Sequence, residues 1–421
     1  MTNIRTTSTL FSTPRLAFLM MPALMLTAQI ASASGAVPAA NSSTDESQPQ
    51  LACAKPYTND RPCVMVYEYL HSSGDIDLRS ESITVDGIVN TKITSSPSTL
   101  PQPETRPTIA SMYDAETYIS VWEYTPASGP VELHARLLGN DALPKNGAWT
   151  TTLVNTSNSA RRPAIACAPD ECLLVWEHEY SPTDIDIYGL RVALDGSPIG
   201  FPFAIANSTE NEEVPAVDAH VTEGGAAFYV VWQEEKPGGS GDHDIYTSFV
   251  TGATVGAKFA ISNEVKDETN PTIACRFGET CMIAYEFEYA AGDHDLHANV
   301  LSNLPDETLT PTTPTIGGWQ IASTVLDERK PNIDRDAIFD HKYTITWERD
   351  LDATDSIIDV GRFDYTDGTP TSTLNLSMTQ GPKGGKIPVV AGSEWDRYLV
   401  AWQDSGVMGS FDIFVEPIVF P

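Results

Sequence analysis

The chain has few basic residues: Lys and Arg number 25 of 421, against 57 Asp and Glu, so the formal net charge is −32. A protein this acidic lacks the basic patch that nucleic acids and anionic membrane surfaces require, which argues against both as partners. The mature sequence also lacks helical periodicity and any apolar run long enough for a membrane helix. Hydrophobic residues make up 41% of the whole chain and aromatic residues 9%, which is enough to build a packed core.

The N-terminal segment is typical of a secretory signal peptide. Arg5 and Arg15 are its only charges, the stretch from Leu16 to Ala28 is apolar, and Ala31-Ser-Ala33 is a small-residue cleavage site. No cysteine follows the apolar run, so nothing predicts a lipid-anchored protein. We predict a signal peptide over residues 1–33, a flexible leader over 34–47, and a secreted or periplasmic mature protein. A retained membrane anchor is the alternative.

The rest of the chain repeats one unit seven times. Each unit begins at a Pro, near residues 49, 107, 163, 215, 271, 331 and 388. An apolar run follows and ends in an aromatic residue plus Glu or Gln: Tyr67-Glu68, Trp122-Glu123, Trp176-Glu177, Trp232-Gln233, Tyr285-Glu286, Trp347-Glu348 and Trp402-Gln403. The aromatic residues are spaced by 55, 54, 56, 53, 62 and 55 positions. Val, Ile, Tyr and Trp dominate the runs, and Pro, Gly, Asp and Asn separate them, which indicates about four short strands a unit.

Four-stranded units of this length, repeated in a row, predict an all-β fold, a seven-bladed β-propeller over residues 48–421. The recurrent Trp or Tyr is expected to fill the space between neighbouring blades. An open solenoid is the alternative, but it would need polar caps at both ends, and the sequence shows none. The seventh unit has no clear fourth strand. We expect a three-stranded or poorly formed last blade rather than completion by residues 34–47.

These units resemble the TolB-like, or WD40-like, bacterial β-propeller repeats. The resemblance lies in the second strand, Leu173-Leu-Val-Trp-Glu177, and in third strands that open Asp186-Ile-Tyr-Gly or Asp244-Ile-Tyr, and it covers nearly all of residues 48–421. It implies a propeller. Because proteins of this kind are commonly exported scaffolds that bind other proteins, it also implies a binding role, by analogy of fold.

The six cysteines fall into three pairs: Cys53 with Cys63, Cys167 with Cys172, and Cys275 with Cys281. In each pair the first lies four residues after the repeat Pro, and the second lies four residues before the repeat aromatic. Facing residues of an antiparallel hairpin are close enough for a disulfide, and export permits oxidation. We predict three disulfides, each adding about 2–3 kcal/mol. Three thiol pairs binding zinc are the alternative, and it is disfavoured because pairs in separate blades cannot share an ion.

Pairs of aspartates precede the third strand in four units. They are Asp75 and Asp77, Asp184 and Asp186, Asp242 and Asp244, and Asp293 and Asp295. Carboxylates two positions apart beside Gly or Ser are candidate Ca²⁺ ligands, so calcium is a possible cofactor. Their repetition favours a structural role instead, in which the Asp side chains accept backbone N–H bonds in tight turns.

Other candidate sites are weaker. Paired carboxylates can hydrolyse glycosides, but the Glu or Gln after each aromatic occurs seven times, which suits a structural role better than catalysis.

His243 and His294 suggest a metal site, whereas His134 and His297 lie at matching strand positions and are expected to pack. Trp395 lies outside the aromatic column, beside Glu and Arg, and is a candidate ligand-binding residue. The chain has no H-E-x-x-H, G-x-S-x-G or glycine-rich phosphate loop, so we assign no catalytic residue.

Taken together, the sequence predicts an exported, monomeric, non-catalytic propeller that binds a protein or glycan partner at one rim. A secreted carbohydrate-active enzyme is the first alternative. Such an enzyme should show a cleft with one carboxylate pair and a strongly raised pKa on one member of that pair. A calcium-stabilised surface adhesion module is the second alternative. Neither nucleic acid nor membrane insertion is expected.

Overall fold

The structure of this protein is a computed structural model. It describes residues 36–40, 42–54, 62–71, 75–84, 86–89, 95–98, 100–114, 116–145, 150–221, 226–238, 241–276, 280–302, 315–335, 342–352, 355–366, 369–378, 384–394, 397–405 and 410–420. The predicted signal peptide and the candidate Trp395 lie outside these residues. No helix in the described ranges is long and apolar enough to cross a membrane.

The described chain forms 29 strands, beginning with β1 (Val37–Ala40). Blade one holds β2 (Glu46–Cys53), β3 (Cys63–Leu70), β4 (Ile76–Ile83) and β5 (Ser95–Ser98), and blade two holds β6 (Glu104–Ser111), β7 (Thr117–Tyr124), β8 (Glu132–Gly139) and β9 (Thr151–Val154). Blade three holds β10 (Ser159–Cys167), β11 (Glu171–Ser181), β12 (Asp184–Ala193) and β13 (Pro198–Ala206). Blade four holds β14 (Glu212–Ala219), β15 (Phe228–Glu235), β16 (His243–Thr251), β17 (Thr254–Val255) and β18 (Phe259–Ser262).

Blades five to seven continue this antiparallel order. Blade five holds β19 (Glu268–Cys275), β20 (Cys281–Ala290), β21 (Asp293–Ser302) and β22 (Thr315–Ala322). Blade six holds β23 (Glu328–Arg335), β24 (Lys342–Asp350), β25 (Ser356–Thr366) and β26 (Thr369–Met378). Blade seven holds β27 (Gly385–Glu394), β28 (Arg397–Ser405) and β29 (Phe411–Val419). The all-β, seven-bladed prediction is confirmed.

The fourth strand of blade seven comes from the N-terminus. β1 pairs antiparallel with β29, with Val37 opposite Val415 and Pro38 opposite Phe414. The expectation of a three-stranded last blade was therefore wrong, and the segment predicted as a flexible leader contains a strand. β1 is short and Ala-rich, so its β propensity is weak. It is held because the exposed edge of β29 offers unpaired backbone groups, and because Ala39 and Ala40 are buried there.

The ring closes through the first strand of every blade. These strands contact their neighbours around the whole circle, including β27 of blade seven with β2 of blade one. The core lies between blades, where apolar residues of adjacent sheets mix; Ile119 of blade two, for example, shares a cluster with Leu174 of blade three. Trp122 and Trp176 are among the largest fully buried side chains, so the predicted packing role of the repeat aromatic is confirmed.

Each first strand carries a bulge at the residue before the repeat Pro. This residue has a positive φ of 47–52° in every blade, although none is glycine: Gln48, Arg106, Arg162, Val214, Asn270, Lys330 and Ile387. A left-handed backbone costs a non-glycine residue about 1–3 kcal/mol, so it persists only where surrounding contacts hold it. The strand pairing slips at the same place in all seven sheets.

The three predicted disulfides are present. Cys53 faces Cys63, Cys167 faces Cys172, and Cys275 faces Cys281 across the first hairpin of blades one, three and five. Their Cα atoms are 3.9–4.0 Å apart. The geometry that the repeat spacing predicted is therefore confirmed.

Candidate functional site

The glutamate or glutamine after each repeat aromatic joins two blades. Its side-chain oxygen accepts a hydrogen bond from the backbone N–H of the positive-φ residue in the next blade. The seven pairs are Glu68 with Arg106 (2.8 Å), Glu123 with Arg162 (2.7 Å), Glu177 with Val214 (2.8 Å), Gln233 with Asn270 (3.0 Å), Glu286 with Lys330 (2.7 Å), Glu348 with Ile387 (3.3 Å) and Gln403 with Gln48 (3.2 Å). These bonds hold the strained bulges, and the structural interpretation of this set is confirmed.

The aspartate pairs before the third strands lie in four separate blades. Asp77, Asp186, Asp244 and Asp295 are buried, whereas Asp75, Asp184, Asp242 and Asp293 are half-buried. No three His, Cys, Asp or Glu side chains in the described ranges are arranged to hold a metal ion. Calcium binding by these residues therefore stays a prediction.

The acid that caps a third strand comes from the following blade. Asp267 accepts the backbone N–H of His243 at 2.8 Å, and Asp327 accepts that of His294 at 3.0 Å. Each histidine ring also contacts the same aspartate through Nδ1, at 2.9 Å and 2.8 Å. His243 and His294 are thus partners of inter-blade carboxylates, and the capping role predicted for the aspartate pairs themselves stays a prediction.

A second acidic set escaped the sequence analysis. Glutamates three residues before the repeat Pro open the first strand of five blades and are at most 1% exposed: Glu46, Glu104, Glu212, Glu268 and Glu328. Burial raises the pKa of every member, to about 7 for Glu104 and Glu212 and to about 8 for Glu268. In four blades the backbone N–H four residues earlier donates to the glutamate: Ser42, Leu100, Ser208 and Thr324, at 3.0–3.4 Å.

Glu268 departs from this pattern. Neither of its buried carboxyl oxygens has a hydrogen-bond partner among the described residues. The backbone N–H of Glu264 lowers the pKa of Glu268 but falls short of a hydrogen bond, while burial and the nearby charge of Asp244 raise it. The residue four positions earlier is Glu264, where blades one, four and six carry Ser or Thr. The interface between blades four and five, called the seam below, therefore places the carboxyl groups of Asp244 and Glu264 near the buried Glu268.

The seam between blades four and five also contains a cavity of about 320 Å³. Its lining is mostly polar and comes from β18, β20, β21, β22 and the loop after β18: Ile261, Ser262, Asn263, Glu264, Tyr285, His297, Asn299, Gly318, Trp319 and Gln320. Lys236 fixes this loop, since its Nζ donates to the carbonyl oxygen of Glu264 at 2.5 Å. The volume falls at the lower end of the range of small-molecule sites.

Two departures from the repeat open this cavity. Tyr285 replaces the usual Trp, and its hydroxyl donates to Asn299 Oδ1 at 3.0 Å, while Asn299 Nδ2 donates to the carbonyl of Ile261 at 2.8 Å. Gly318 has no side chain, and a Cβ there would meet the Asn299 amide at 3.4 Å, on the cavity side of β22. Tyr285, which blade one matches with Tyr67, and the glycine both line the cavity.

Aromatic rings continue from the cavity toward the surface. His297 stacks on Phe287 with ring centroids 4.3 Å apart and planes 6° from parallel, which confirms its predicted packing role. Burial lowers the pKa of His297, so its imidazole is neutral at pH 7. Tyr289, two residues beyond Phe287 on the same strand face, is 63% exposed. Of the aromatic rings at this site, Tyr285, His297 and Trp319 line the cavity itself.

The central channel is the other concave site. It has a volume of about 190 Å³ and is lined by the first strands of all blades. Its two aspartates accept hydrogen bonds from neighbouring blades. Asp218 Oδ2 accepts the N–H of Cys275 at 2.8 Å, and Asp334 Oδ2 accepts that of Gly392 at 2.7 Å. The seam cavity is therefore the better candidate for a functional site.

The buried glutamates predict how stability depends on pH. Since their pKa values lie above that of an unfolded glutamate, the folded state keeps protons that the unfolded state releases between about pH 4.5 and 8. Stability should therefore fall as pH rises from 5 to 8, by several kcal/mol in total, because each of these three pKa values lies well above 4.5 and one pKa unit corresponds to roughly 1.4 kcal/mol. Urea denaturation at a series of pH values measures this. The double variant Glu104→Gln/Glu212→Gln should flatten the profile, and an unchanged slope would contradict the assignment.

No family model matches the chain, and no curated protein matches it. Solved structures do. An alpha-L-arabinanase from Penicillium chrysogenum complexed with arabinobiose matches at 11% identity over 76% of this chain and 94% of its own, with a TM-score of 0.50. A protein of unknown function from Dyadobacter fermentans matches at 10% identity, 76% and 95% coverage and a TM-score of 0.49. An endo-arabinase from Bacteroides thetaiotaomicron matches at 13% identity, 65% and 99% coverage and a TM-score of 0.40.

These likenesses establish the shared propeller fold. None of the three structures is described as a TolB or WD40 protein, so the finer resemblance is not established. The sequence-based prediction of a non-catalytic scaffold was wrong by this comparison, which favours the alternative of a carbohydrate-active enzyme, because the structure matched at a TM-score of 0.50 is an alpha-L-arabinanase. The prediction failed because it rested on the seven repeats. The seam cavity instead arises from residues that break them.

Proposed function

We propose that the protein is an exported glycoside hydrolase whose substrate binds in the cavity between blades four and five. The observation that carries the proposal is the pairing of this polar cavity with Glu268, whose pKa of about 8 keeps a buried carboxyl protonated at neutral pH. Glycoside hydrolysis needs one protonated and one ionised carboxyl group. Glu264 lines the cavity and lies close enough to Glu268 for its charge to raise the pKa of that acid.

The two glutamates take different roles in this proposal. Glu264 is exposed at the cavity and is the catalytic candidate, because it can touch a bound sugar. Glu268 is fully buried and does not line the cavity, so it acts on Glu264 only through its charge: protonated it is neutral, and ionised it would place a second negative charge near the cavity. Asn299 and Gln320 offer amide groups for sugar hydroxyls. The three disulfides support export, as does the predicted signal peptide.

A cavity-filling variant tests the location of the site. We expect the wild-type protein to release reducing sugars from at least one polysaccharide in a panel of arabinans, xylans, glucans and galactans. Gly318→Leu should lower that release at least tenfold, because the side chain enters the cavity at a position without backbone strain. Melting temperature is measured in parallel to exclude misfolding.

Different results would contradict the location of the site and the hydrolase activity itself. A folded Gly318→Leu protein with full activity would place the reaction elsewhere, in the channel or at another seam. No release from any glycan by the wild-type protein would contradict the hydrolase itself. Gly318→Ala, which adds a Cβ at ordinary contact distance from the Asn299 amide (3.4 Å), is the matched control that leaves most of the cavity open.

A further inference from the structure

The cavity between blades four and five has an acidic surrounding. Among the described residues that line it, the ionisable ones are Glu264, Tyr285 and His297, and none is Lys or Arg. His297 adds no positive charge at neutral pH, because burial lowers its pKa. The walls therefore supply a carboxylate, neutral donors and neutral acceptors.

The next layer reinforces this charge. Asp295 is 2% exposed, and its Oδ2 accepts a hydrogen bond from Gln320 Nε2 at 2.8 Å, so a carboxylate lies directly behind a lining amide. Two lysines of this seam, Lys236 and Lys258, are engaged by carboxylates, and the exposed Lys266, two residues after Glu264, is not among the lining residues. Lys236 Nζ lies 2.9 Å from Asp244 Oδ1.

Lys258 is held in the same way. Its Nζ donates to both carboxyl oxygens of Glu234 at 2.7 Å and lies over the ring of Tyr246, 4.5 Å from the centroid. It would have to leave both contacts to meet an anion in the cavity. Among the described residues that line the cavity there is thus no cation to meet a negatively charged ligand.

From this arrangement we infer that the cavity takes an uncharged sugar residue and rejects uronates and other carboxylated sugars. The inference rests on the proposed function and specifies its substrate class. A sugar carboxylate is normally bound by the fork of an Arg or by a Lys, and here it would face Glu264 and Asp295 instead. Neutral hydroxyls match the amides of Asn299 and Gln320, which can donate and accept together.

Matched substrates test this selectivity. Nitrophenyl glycosides of glucose and galactose are compared with those of glucuronic and galacturonic acid, which differ only in the carboxylate at C6. Arabinosyl and xylosyl glycosides complete the neutral series. We expect kcat/KM for the best neutral glycoside to exceed that for any uronide at least tenfold, with a smaller ratio at high salt, because salt screens the repulsion.

A variant that adds a positive charge to the cavity is the second part of this test. Gln320→Lys places a cation at the cavity wall and should raise uronide binding or turnover about tenfold relative to neutral sugar, measured by titration and by kcat/KM. Phe201→Lys, at an 88% exposed position on blade three, adds the same charge away from the cavity and should leave the ratio unchanged.

The possible failures are distinguishable. Uronides handled as well as neutral sugars by the wild-type protein would overturn this inference and leave the hydrolase proposal standing. A ratio that Gln320→Lys does not shift, although the protein is folded, would also overturn it. If neither series binds or reacts, the proposed function fails and this inference falls with it.

Discussion

Replacing Glu268 by Gln is expected to remove the alkaline limb of the activity profile for glycan hydrolysis and to leave kcat/KM near pH 6–7 within about threefold, because the amide mimics the neutral, protonated acid. The variant keeps the size and burial of the side chain but can no longer become negatively charged near Glu264. Because Gln cannot ionise, the alkaline limb of the activity profile, which should lie near pH 8 in the wild-type protein, should disappear. Initial rates between pH 4 and 9 measure both effects.

Glu212 gives the matched control one blade away. It occupies the same repeat position, is equally buried and also has a raised pKa, of about 7, but no cavity lining belongs to its seam. Glu212→Gln should leave the rate and the alkaline limb unchanged. If both variants lose the alkaline limb together, or if Glu268→Gln keeps its alkaline limb, Glu268 is a structural acid like the other members of its set.

Glu177→Ala should destabilise the fold by about 2–4 kcal/mol, the range for breaking a buried polar contact. Glu177 is 5% exposed, accepts the backbone N–H of Val214 at 2.8 Å, and lies 3.3 Å from Arg162 Nε. Its removal leaves that N–H without an acceptor at a backbone position that is already strained. Urea denaturation, read as a change in midpoint at constant slope, measures the loss.

The variant Glu177→Gln distinguishes the contribution of the hydrogen bond to stability from that of the negative charge. Gln233 and Gln403 hold the same inter-blade bond in their own seams, at 3.0 Å and 3.2 Å, so an amide is sufficient there. The Gln variant should cost less than about 1 kcal/mol, which is the weak contribution of a partly exposed ion pair. An Ala variant as stable as the Gln variant would show that these bonds do not hold the blades together.

The fold could be predicted because it follows from the repeated features of the sequence. The proposed site could not, because its residues are the ones that depart from the repeat. The repeat Pro, the cysteines and the repeat aromatic of each blade lie on one hairpin. Their regular spacing along the chain was therefore enough to predict seven blades and three disulfides. Glu264 could have been noticed, since Ser42, Ser208 and Thr324 occupy its position in other blades. Its importance depends on Tyr285 and Gly318, which are 21 and 54 residues further along the chain. One sequence does not show that these three departures meet.

The sequence by itself determined the repeated strands, the turns, the paired cysteines and the aromatic column, because each depends on residues that are neighbours along the chain or across one hairpin. Only the tertiary structure decided which carboxyl groups face each other, because those contacts join different blades. It also decided how the ring closes, since β1 meets β29 from the opposite end of the chain. A weak Ala-rich segment becomes a strand when an open sheet edge is brought beside it, because pairing then satisfies backbone groups that would otherwise be exposed.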